Sequence, residues 1–150
     1  MSVGDTCNRD VITVDTAASV HEAARLMRNH HVGDLIITRD RREEIVPVGI
    51  VTDRDLVLEV LATDLDPASV TVGDLFASSV LVTASVDDDL EATLARMREH
   101  AIRRMPIVEA DGSLAGIITM DDMLQLIANQ LERTVDLVVR QPDLEARRRV

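Results

Sequence analysis

The sequence contains no lysine, tryptophan or tyrosine, and it has one phenylalanine, Phe76, and one cysteine, Cys7. With a single aromatic residue, any core must be built from aliphatic side chains and methionine, which pack more plastically than aromatic rings. A lone cysteine excludes an internal disulfide. The hydrophobic fraction of 46% nevertheless predicts a packed fold, and 150 residues suffice for one domain with a proper core.

Because lysine is absent, all sixteen basic residues are arginine, and the formal charge is −11. Such an acidic surface repels phosphate backbones, which argues against binding to nucleic acids or anionic membranes. The N-terminus lacks the layout of a secretion signal, and no apolar stretch approaches the roughly 20 residues needed to span a bilayer. We therefore expect a soluble, cytoplasmic protein in which any anionic ligand needs a local basic pocket.

An internal repeat organises the chain. The motif GIVTDRD at residues 49–55 returns as GIITMDD at residues 116–122, and SVGD at residues 2–5 returns as TVGD at residues 71–74. The segment HHVGDLIIT likewise has a counterpart in HAIRRMPIV. The sequence therefore predicts one structural unit written twice.

Each copy is predicted to fold as β-α-β-β-α, which places the protein in the α+β class. The predicted strands cover residues 11–14, 35–38 and 45–52 in the first copy and residues 80–83, 105–108 and 114–119 in the second. Apolar residues recur every three to four positions around Met27 and Met97, which predicts the first helix of each copy. The closing helices are expected at residues 54–62 and 121–131.

Local signals mark helix starts and the boundary between the copies. Ser19 followed by Glu22 is a capping box, and Asp89 is the expected cap of the equivalent helix. Pro67 lies at the join. The predicted divisions are residues 1–66 for the first repeat, 67–131 for the second and 132–150 for a tail.

The tail has no counterpart in the first copy. Pro142 is expected to interrupt it, and its basic end is typical of a frayed tail or of a helix that docks on a partner.

Each repeated motif is placed where a strand ends and a helix begins. The hydroxyls and carboxylates concerned are Thr52, Asp55, Thr119 and Asp122. Their spacing is that of a capping box, which alone stabilises a helix start by about 1 kcal/mol. The same geometry suits a nucleoside phosphate, because helix N-termini attract phosphate and a carboxylate accepts hydrogen bonds from ribose hydroxyls. Gly49 and Gly116 would let a ligand approach the strand backbone closely.

Two such units, each ending in Gly-Ile-(Val/Ile)-Thr-x-x-Asp, resemble a tandem pair of cystathionine-β-synthase (CBS) domains, the Bateman module, over residues 1–131. The resemblance implies repeats packed sheet to sheet about a pseudo-twofold axis. It also implies two clefts that bind adenosine nucleotides or relatives such as S-adenosylmethionine. It places the ribose-binding carboxylates on Asp55 and Asp122 and the phosphate-contacting hydroxyls on Thr52 and Thr119.

The resemblance assigns further ligand contacts. Residues that reach phosphates fall on Arg103 and Arg104. Apart from the resemblance, the position of Arg54 at a helix start means that it could contact a phosphate or remain a solvated first-turn arginine. The adenine slot falls around Ile12, Val32, Ile102 and Pro106.

The first repeat departs from the family pattern. It has Gly33 and Asp34 where the second repeat has its arginine pair, and Ile36 where the family usually has proline. Since a carboxylate near a phosphate costs affinity, the two clefts are expected to differ. We expect the arginine pair to serve a nucleotide held by Thr52 and Asp55.

Catalysis and metal binding find little support in the sequence. It lacks a Gly-x-Ser-x-Gly elbow, a P-loop and an HExxH motif, and the motif carboxylates belong to separate helix starts. We expect no enzymatic activity and no obligatory cofactor. A metal- or redox-responsive protein is a weak alternative, because Cys7, His21, His30, His31 and His100 show no recognised ligand spacing.

The function predicted is a regulatory module that senses an adenine-containing nucleotide of the AMP, ADP or ATP class between its repeats. Ligand would change the packing of the repeats, or of a homodimer, and thereby signal to an effector protein that the sequence does not identify. The alternative is an oligomerisation or scaffold protein with empty or vestigial clefts, which Asp34 and the missing proline favour.

Overall fold

The computed structural model describes residues 1–76 and 80–148. Residues 77–79 of the predicted second repeat and residues 149–150 of the predicted tail lie outside the described part. Two sheets of three strands, each with its helices, form two β-α-β-β-α units, which confirms the predicted α+β class.

In the first sheet the order is β1-β2-β3, with β1 parallel to β2 and β2 antiparallel to β3. Its elements are β1 (Thr13–Asp15), α2 (Val20–His30), β2 (Asp34–Arg41), β3 (Glu44–Thr52) and α3 (Asp53–Leu56), which continues as a π-helical turn (Val57–Leu61). The capping box of Ser19 and Glu22 begins α2 as predicted. The closing segment of this unit therefore covers residues 53–61, close to the predicted 54–62, but its second part is a π-helical turn, which is wider than the α-helix that the sequence predicts.

The second sheet repeats this topology in the order β4-β5-β6. Its elements are β4 (Ala84–Ser85), α5 (Leu90–Glu99), β5 (Arg104–Val108), β6 (Leu114–Thr119) and α6 (Met120–Arg148). Asp89 caps α5 as predicted, because its carboxylate accepts hydrogen bonds from the N–H groups of Glu91 and Ala92.

The first strand of each copy is shorter than predicted and begins later. Residues 80–83 lie outside the ladder, and the carbonyl of Thr83 accepts a hydrogen bond from Arg96 Nη1 at 3.0 Å. In the first copy the carbonyl of Ile12 still accepts a hydrogen bond from the Ile36 N–H, at 3.2 Å, although β1 begins one residue later.

Helix α6 extends well beyond its predicted end at residue 131. It runs for 29 residues through Pro142, so the expectation that this proline interrupts the segment is wrong, as is that of a frayed tail for residues 132–148. A proline removes one intrahelical hydrogen bond and costs about 3 kcal/mol. On an exposed helix, water can solvate the carbonyl that loses its partner, so the helix can continue.

Two short helices each pack on the unit that is formed by the other repeat. Helix α1 (Val3–Thr6) packs on the second unit, where the Val3 N–H donates to the Asp88 carbonyl at 2.9 Å. Helix α4 (Val72–Phe76) packs on the first, where the Val72 N–H donates to the Ala18 carbonyl at 2.9 Å. The repeated SVGD and TVGD segments thus connect each unit to the other. The predicted boundary between the repeats, after residue 66, stays a prediction.

Each unit has its own aliphatic core, and methionine fills much of the second one. Leu35, Ile37 and Val51 belong to the first core; Met97 and Met105 belong to the second. These side chains are almost fully buried, which agrees with the predicted structural role of the methionines.

The two sheets face each other through the sides that do not carry the cores. Ile36 and Ile117 are buried but belong to neither core, because they alternate with core-facing neighbours along β2 and β6. Strands β3 and β6 make contact between the units. The candidate binding sites lie along this junction.

Candidate functional site

Thr52 ends β3 and begins α3 through a reciprocal capping box. The Thr52 N–H donates to Asp55 Oδ2 at 2.8 Å, and the Asp55 N–H donates to Thr52 Oγ1 at 3.2 Å. Both residues are half-buried. These contacts engage Oδ2 of the carboxylate, so Oδ1 is the oxygen that could accept hydrogen bonds from a ligand.

The second motif is arranged differently. The Thr119 hydroxyl donates to Asp122 Oδ2 at 2.7 Å and accepts from the Asp122 N–H at 3.1 Å. Asp122 is exposed, whereas its counterpart Asp55 is half-buried. Capping is confirmed at both motifs, but at the second the hydroxyl proton is already engaged by the carboxylate.

The strand glycines of the two motifs serve different purposes. A Cβ on Gly116 would lie 2.6 Å from the Asn8 carbonyl oxygen and 2.8 Å from Cys7 Sγ. Asn8 also exchanges two backbone hydrogen bonds of 2.9 Å with Ile117. The close approach at Gly116 is therefore made by the chain itself, and the expectation that a ligand approaches there is wrong. Gly49 instead lines a cleft.

One opening between the units, which we call the acidic cleft, has a volume of about 280 Å³. Its lining residues are Asn8, Asp10, Val11, Ile12, Val32, Asp34, Arg104, Ile117, Thr119, Asp121 and Asp122. Four carboxylates face one guanidinium in this set. The local charge is therefore negative, which disfavours a phosphate.

A second opening, the apolar cleft, has a volume of about 210 Å³. Its lining residues are Gly49, Ile50, Phe76, Val80, Leu81, Val82, Ile102 and Arg104. This set combines apolar side chains with one guanidinium and has no carboxylate. Thr52 follows Ile50 by two residues on β3, so the first motif lies beside this cleft, although neither Thr52 nor Asp55 lines it.

Arg104 lines both clefts and joins the two units. Its Nε lies 3.0 Å from Oδ1 of Asp34, and the two side chains are 34% and 24% exposed. Asp34 is opposite Thr52 in the β2–β3 ladder, and Arg104 is opposite Thr119 in the β5–β6 ladder. A single ion pair between equivalent positions of the two repeats thus connects the two motifs.

Besides Thr52 and Asp55, three further predicted site residues line neither cleft. Arg103 is 73% exposed, forms a 3.6 Å ion pair with Asp121 and lines a groove between α5 and α6. Arg54 is exposed and lines a shallow depression on α3. Pro106 is buried in β5, on the same face of the strand as Arg104.

The predicted adenine slot is divided between the clefts. Ile12 and Val32 line the acidic cleft, and Ile102 lines the apolar cleft. Sequence reasoning missed Val82, although the repeat offset that pairs Val32 with Ile102 also pairs Ile12 with Val82. Applying the repeat to every candidate would have identified that residue.

Among residues 1–76 and 80–148, no group of three or more His, Cys, Asp or Glu side chains is placed to hold a metal ion. Burial raises the pKa of the Cys7 thiol, and the nearby charge of Arg9 partly opposes that rise. In the same part of the chain no helix has the length and apolarity needed to cross a membrane.

Two segments of the chain, residues 3–62 and 72–129, match the family model of the CBS domain. The chain belongs to the CBS domain family. Each matched segment contains one Thr-x-x-Asp motif and one of the two sheets. The second matched segment ends at residue 129, within α6, so the last part of that helix lies beyond the family model.

The chain is also similar to known proteins over most of its length. An uncharacterized protein of Methanopyrus kandleri is 37% identical over 126 residues, which are 84% of this chain and 62% of that relative. The chain therefore spans less than two thirds of that protein's length. The solved structure of Hypoxic Response Protein I, described with two coordinated zinc ions, is 31% identical with a TM-score of 0.71, and the match covers 83% of this chain and 98% of that one.

A CBS domain protein of Pyrobaculum aerophilum, described as complexed with AMP, shares the fold with a TM-score of 0.70 at 23% identity. That match covers 81% of this chain and 89% of the other. At this identity the likeness concerns the fold alone.

Proposed function

We propose that this CBS-domain pair is a cytoplasmic regulatory module, without enzymatic activity, that binds an adenosine nucleotide of the AMP, ADP or ATP class. The nucleotide binds between the repeats, and its presence is communicated to an effector protein. The observation that carries the proposal is the position of Arg104, a cation shared by two clefts at the junction of the repeats.

The apolar cleft is the proposed nucleotide site. Its aliphatic walls, including Val82 and Ile102, suit the faces of an adenine ring, and Arg104 supplies the charge that a phosphate needs. Asp55 Oδ1 is the proposed acceptor for the ribose hydroxyls, and the Thr52 hydroxyl is a further phosphate contact. The acidic cleft lacks this charge balance, because four carboxylates surround the same arginine.

The size of the cleft limits what it can hold. Ligand pockets usually have volumes of about 300 to 1,000 Å³, whereas the apolar cleft has about 210 Å³. A bound nucleotide must therefore widen the junction or leave its phosphates partly in solvent. A micromolar complex requires about −8 kcal/mol, which a few charge-assisted hydrogen bonds of about 1.5 to 3 kcal/mol each can supply after ordering costs.

Binding would act on the packing of the repeats through the Arg104–Asp34 ion pair. A phosphate that takes Arg104 must displace Asp34 or share the guanidinium with it. Since this pair bridges the units, its loss changes the free energy of their present arrangement. The ligand shifts the equilibrium only by its difference in affinity between the two arrangements.

Calorimetric titration with AMP, ADP, ATP, NAD and S-adenosylmethionine tests the proposal. We expect a nucleotide Kd in the micromolar range, weakened about tenfold or more by Asp55→Asn, since each lost charge-assisted bond costs about 1.5 to 3 kcal/mol. Asp122→Asn is the matched control in the other repeat and should leave that Kd unchanged. Both substitutions affect a helix cap, so unfolding midpoints of the free variants should fall by similar amounts.

Two other outcomes of the titration would contradict the proposed site or the proposed function. If Asp122→Asn weakens binding and Asp55→Asn does not, the nucleotide occupies the acidic cleft, and the proposed site is wrong. If none of the five compounds binds, the scaffold alternative, with vestigial clefts, replaces the sensing function.

A further inference from the structure

Most of the second half of α6 projects from the body of the protein without a covering surface. Every residue from 127 to 141 is exposed. At 1.5 Å per residue this stretch alone spans about 21 Å. Isolated helices of this length are only marginally stable in water, and most helical stability in proteins comes from packing of an apolar face. The projecting half therefore needs a partner.

An apolar stripe follows one face of the helix. Its members are Leu124, Ile127, Leu131, Val135 and Val138, which are between 50% and 66% exposed. At 100° per residue, the five positions fall within an arc of about 80°. The stripe begins in the part of α6 that packs on the body and continues beyond residue 129, where the match to the CBS domain ends.

The stripe borders an apolar groove on the same unit. This groove between α5 and α6 has a volume of about 640 Å³. Its apolar lining includes Leu94, Ala95, Met97, Met120, Met123, Leu124 and Ile127. The first half of α6 thus offers a groove, while the second half offers uncovered side chains, and the two surfaces are joined by Leu131.

We propose that these surfaces cover each other in a second copy of the chain, with the two α6 helices antiparallel and Leu131 at the twofold axis. The spacing of the stripe is 3, 4, 4 and 3 residues, which reads the same in both directions from Leu131. A twofold axis there places Leu124 beside Val138 of the partner subunit and Ile127 beside the partner's Val135. Such a patch is self-complementary, as an isologous interface requires.

The charges on α6 favour the same orientation. The helix begins with Asp121 and Asp122 and ends with Arg147 and Arg148, with Arg140 two turns earlier. An antiparallel pair centred on Leu131 brings Asp122 of one helix level with Arg140 of the partner subunit, while Arg147 and Arg148 lie beyond the start of the partner helix. The same orientation opposes the two helix dipoles. A parallel pair would place the acidic starts together. The charged residue Arg133 lies on the opposite side of the helix from the stripe.

The area is adequate for a specific contact. Burying five aliphatic side chains and a groove on each copy removes on the order of 1,000 Å² from water, close to the lower bound for a biological interface. The pairing rests on α6 and α5 alone, so it stands or falls independently of the proposed nucleotide site.

Sedimentation equilibrium measures the predicted state. The wild-type chain should sediment as a dimer, and Leu131→Glu, which places two carboxylates at the axis, should raise the dimer dissociation constant at least a hundredfold. Arg133→Glu is the matched control on the far side of the helix and should remain dimeric. Circular dichroism should show folded protein in all three cases. A monomeric wild type, or a dimer that survives Leu131→Glu, would overturn the proposal.

Disulfide trapping fixes the orientation. In a Cys7→Ser background, Leu124→Cys and Val138→Cys chains mixed under oxidising conditions should give a cross-linked heterodimer, and neither variant should cross-link with itself. Cross-linking of Leu124→Cys with itself would instead indicate parallel helices and would refute the antiparallel arrangement.

Discussion

Asp34 is predicted to limit the affinity of the apolar cleft for phosphate. Its Oδ1 lies 3.0 Å from Arg104 Nε, so the guanidinium that should receive a phosphate already has a carboxylate partner. Removing that negative charge in Asp34→Asn should therefore strengthen the binding of phosphate-bearing ligands. The change keeps the size and polarity of the side chain, which limits its effect on folding.

The expected size of the effect follows from the geometry. A phosphate on Arg104 would lie about 5 Å from the Asp34 carboxylate, where two unit charges interact with about 0.8 kcal/mol in water and about 3 kcal/mol at an effective dielectric constant of 20. The pair is 34% and 24% exposed, so an intermediate value near 1.5 kcal/mol is reasonable. This corresponds to about tenfold tighter binding of AMP.

Calorimetry with AMP and with adenosine separates this electrostatic effect from a change in shape. AMP binding should tighten in Asp34→Asn, while adenosine, which has no phosphate, should bind as it does to the wild type. The gain should shrink as salt is raised, because mobile ions screen partly exposed charges. In an Arg104→Gln background the substitution should give little gain. Equal tightening of adenosine and AMP would refute the reasoning.

Two further predictions concern residues 7–9, the segment that pairs with β6 through Asn8. Gly116→Ala places a Cβ 2.6 Å from a backbone oxygen and should lower the free energy of unfolding by about 1 to 3 kcal/mol. Gly33→Ala is the control and should lower it less, because the nearest neighbour of the new Cβ is the movable Asp53 carboxylate at 3.2 Å. Equal urea midpoints for the two variants would contradict this prediction. Because burial raises the pKa of the Cys7 thiol, its alkylation by iodoacetamide at pH 8 should be slower in the folded protein than in urea. Arg9→Gln should slow it further, and a faster reaction would show that the charge of Arg9 does not act as inferred.

The repeat made the architecture predictable, because strand alternation and capping are local signals. The exchange of α1 and α4 was not predictable in the same way. The SVGD segment contains its own cap, since the Asp5 N–H donates to Ser2 Oγ at 3.3 Å. Nothing within four residues, however, specifies which sheet such a short helix will cover. That choice depends on contacts such as the Val3 N–H with the Asp88 carbonyl, between residues far apart in the sequence.

The difference between Arg103 and Arg104 could have been read from the sequence. Met105 and Ile107 are core residues of β5, so alternation directs Arg104 to the opposite face, toward the other repeat. Arg103 precedes the strand and lies on the helix side. The partner of Arg104 could not be predicted in this way, because Asp34 belongs to the other sheet and meets it only after the units pack.

A duplicated chain would be expected to have two equivalent clefts, and one charge reversal is enough to make them different. Asp34 and Arg104 occupy equivalent positions, and these positions meet where the repeats join. If both were arginine, two cations would repel each other at the junction unless an anion lay between them. With aspartate in the first repeat, the two charges neutralise each other without ligand, and a phosphate must compete with a carboxylate already in place. The same substitution therefore stabilises the free protein and weakens the proposed site, so the resting packing of the repeats and the affinity for nucleotide depend on one ion pair.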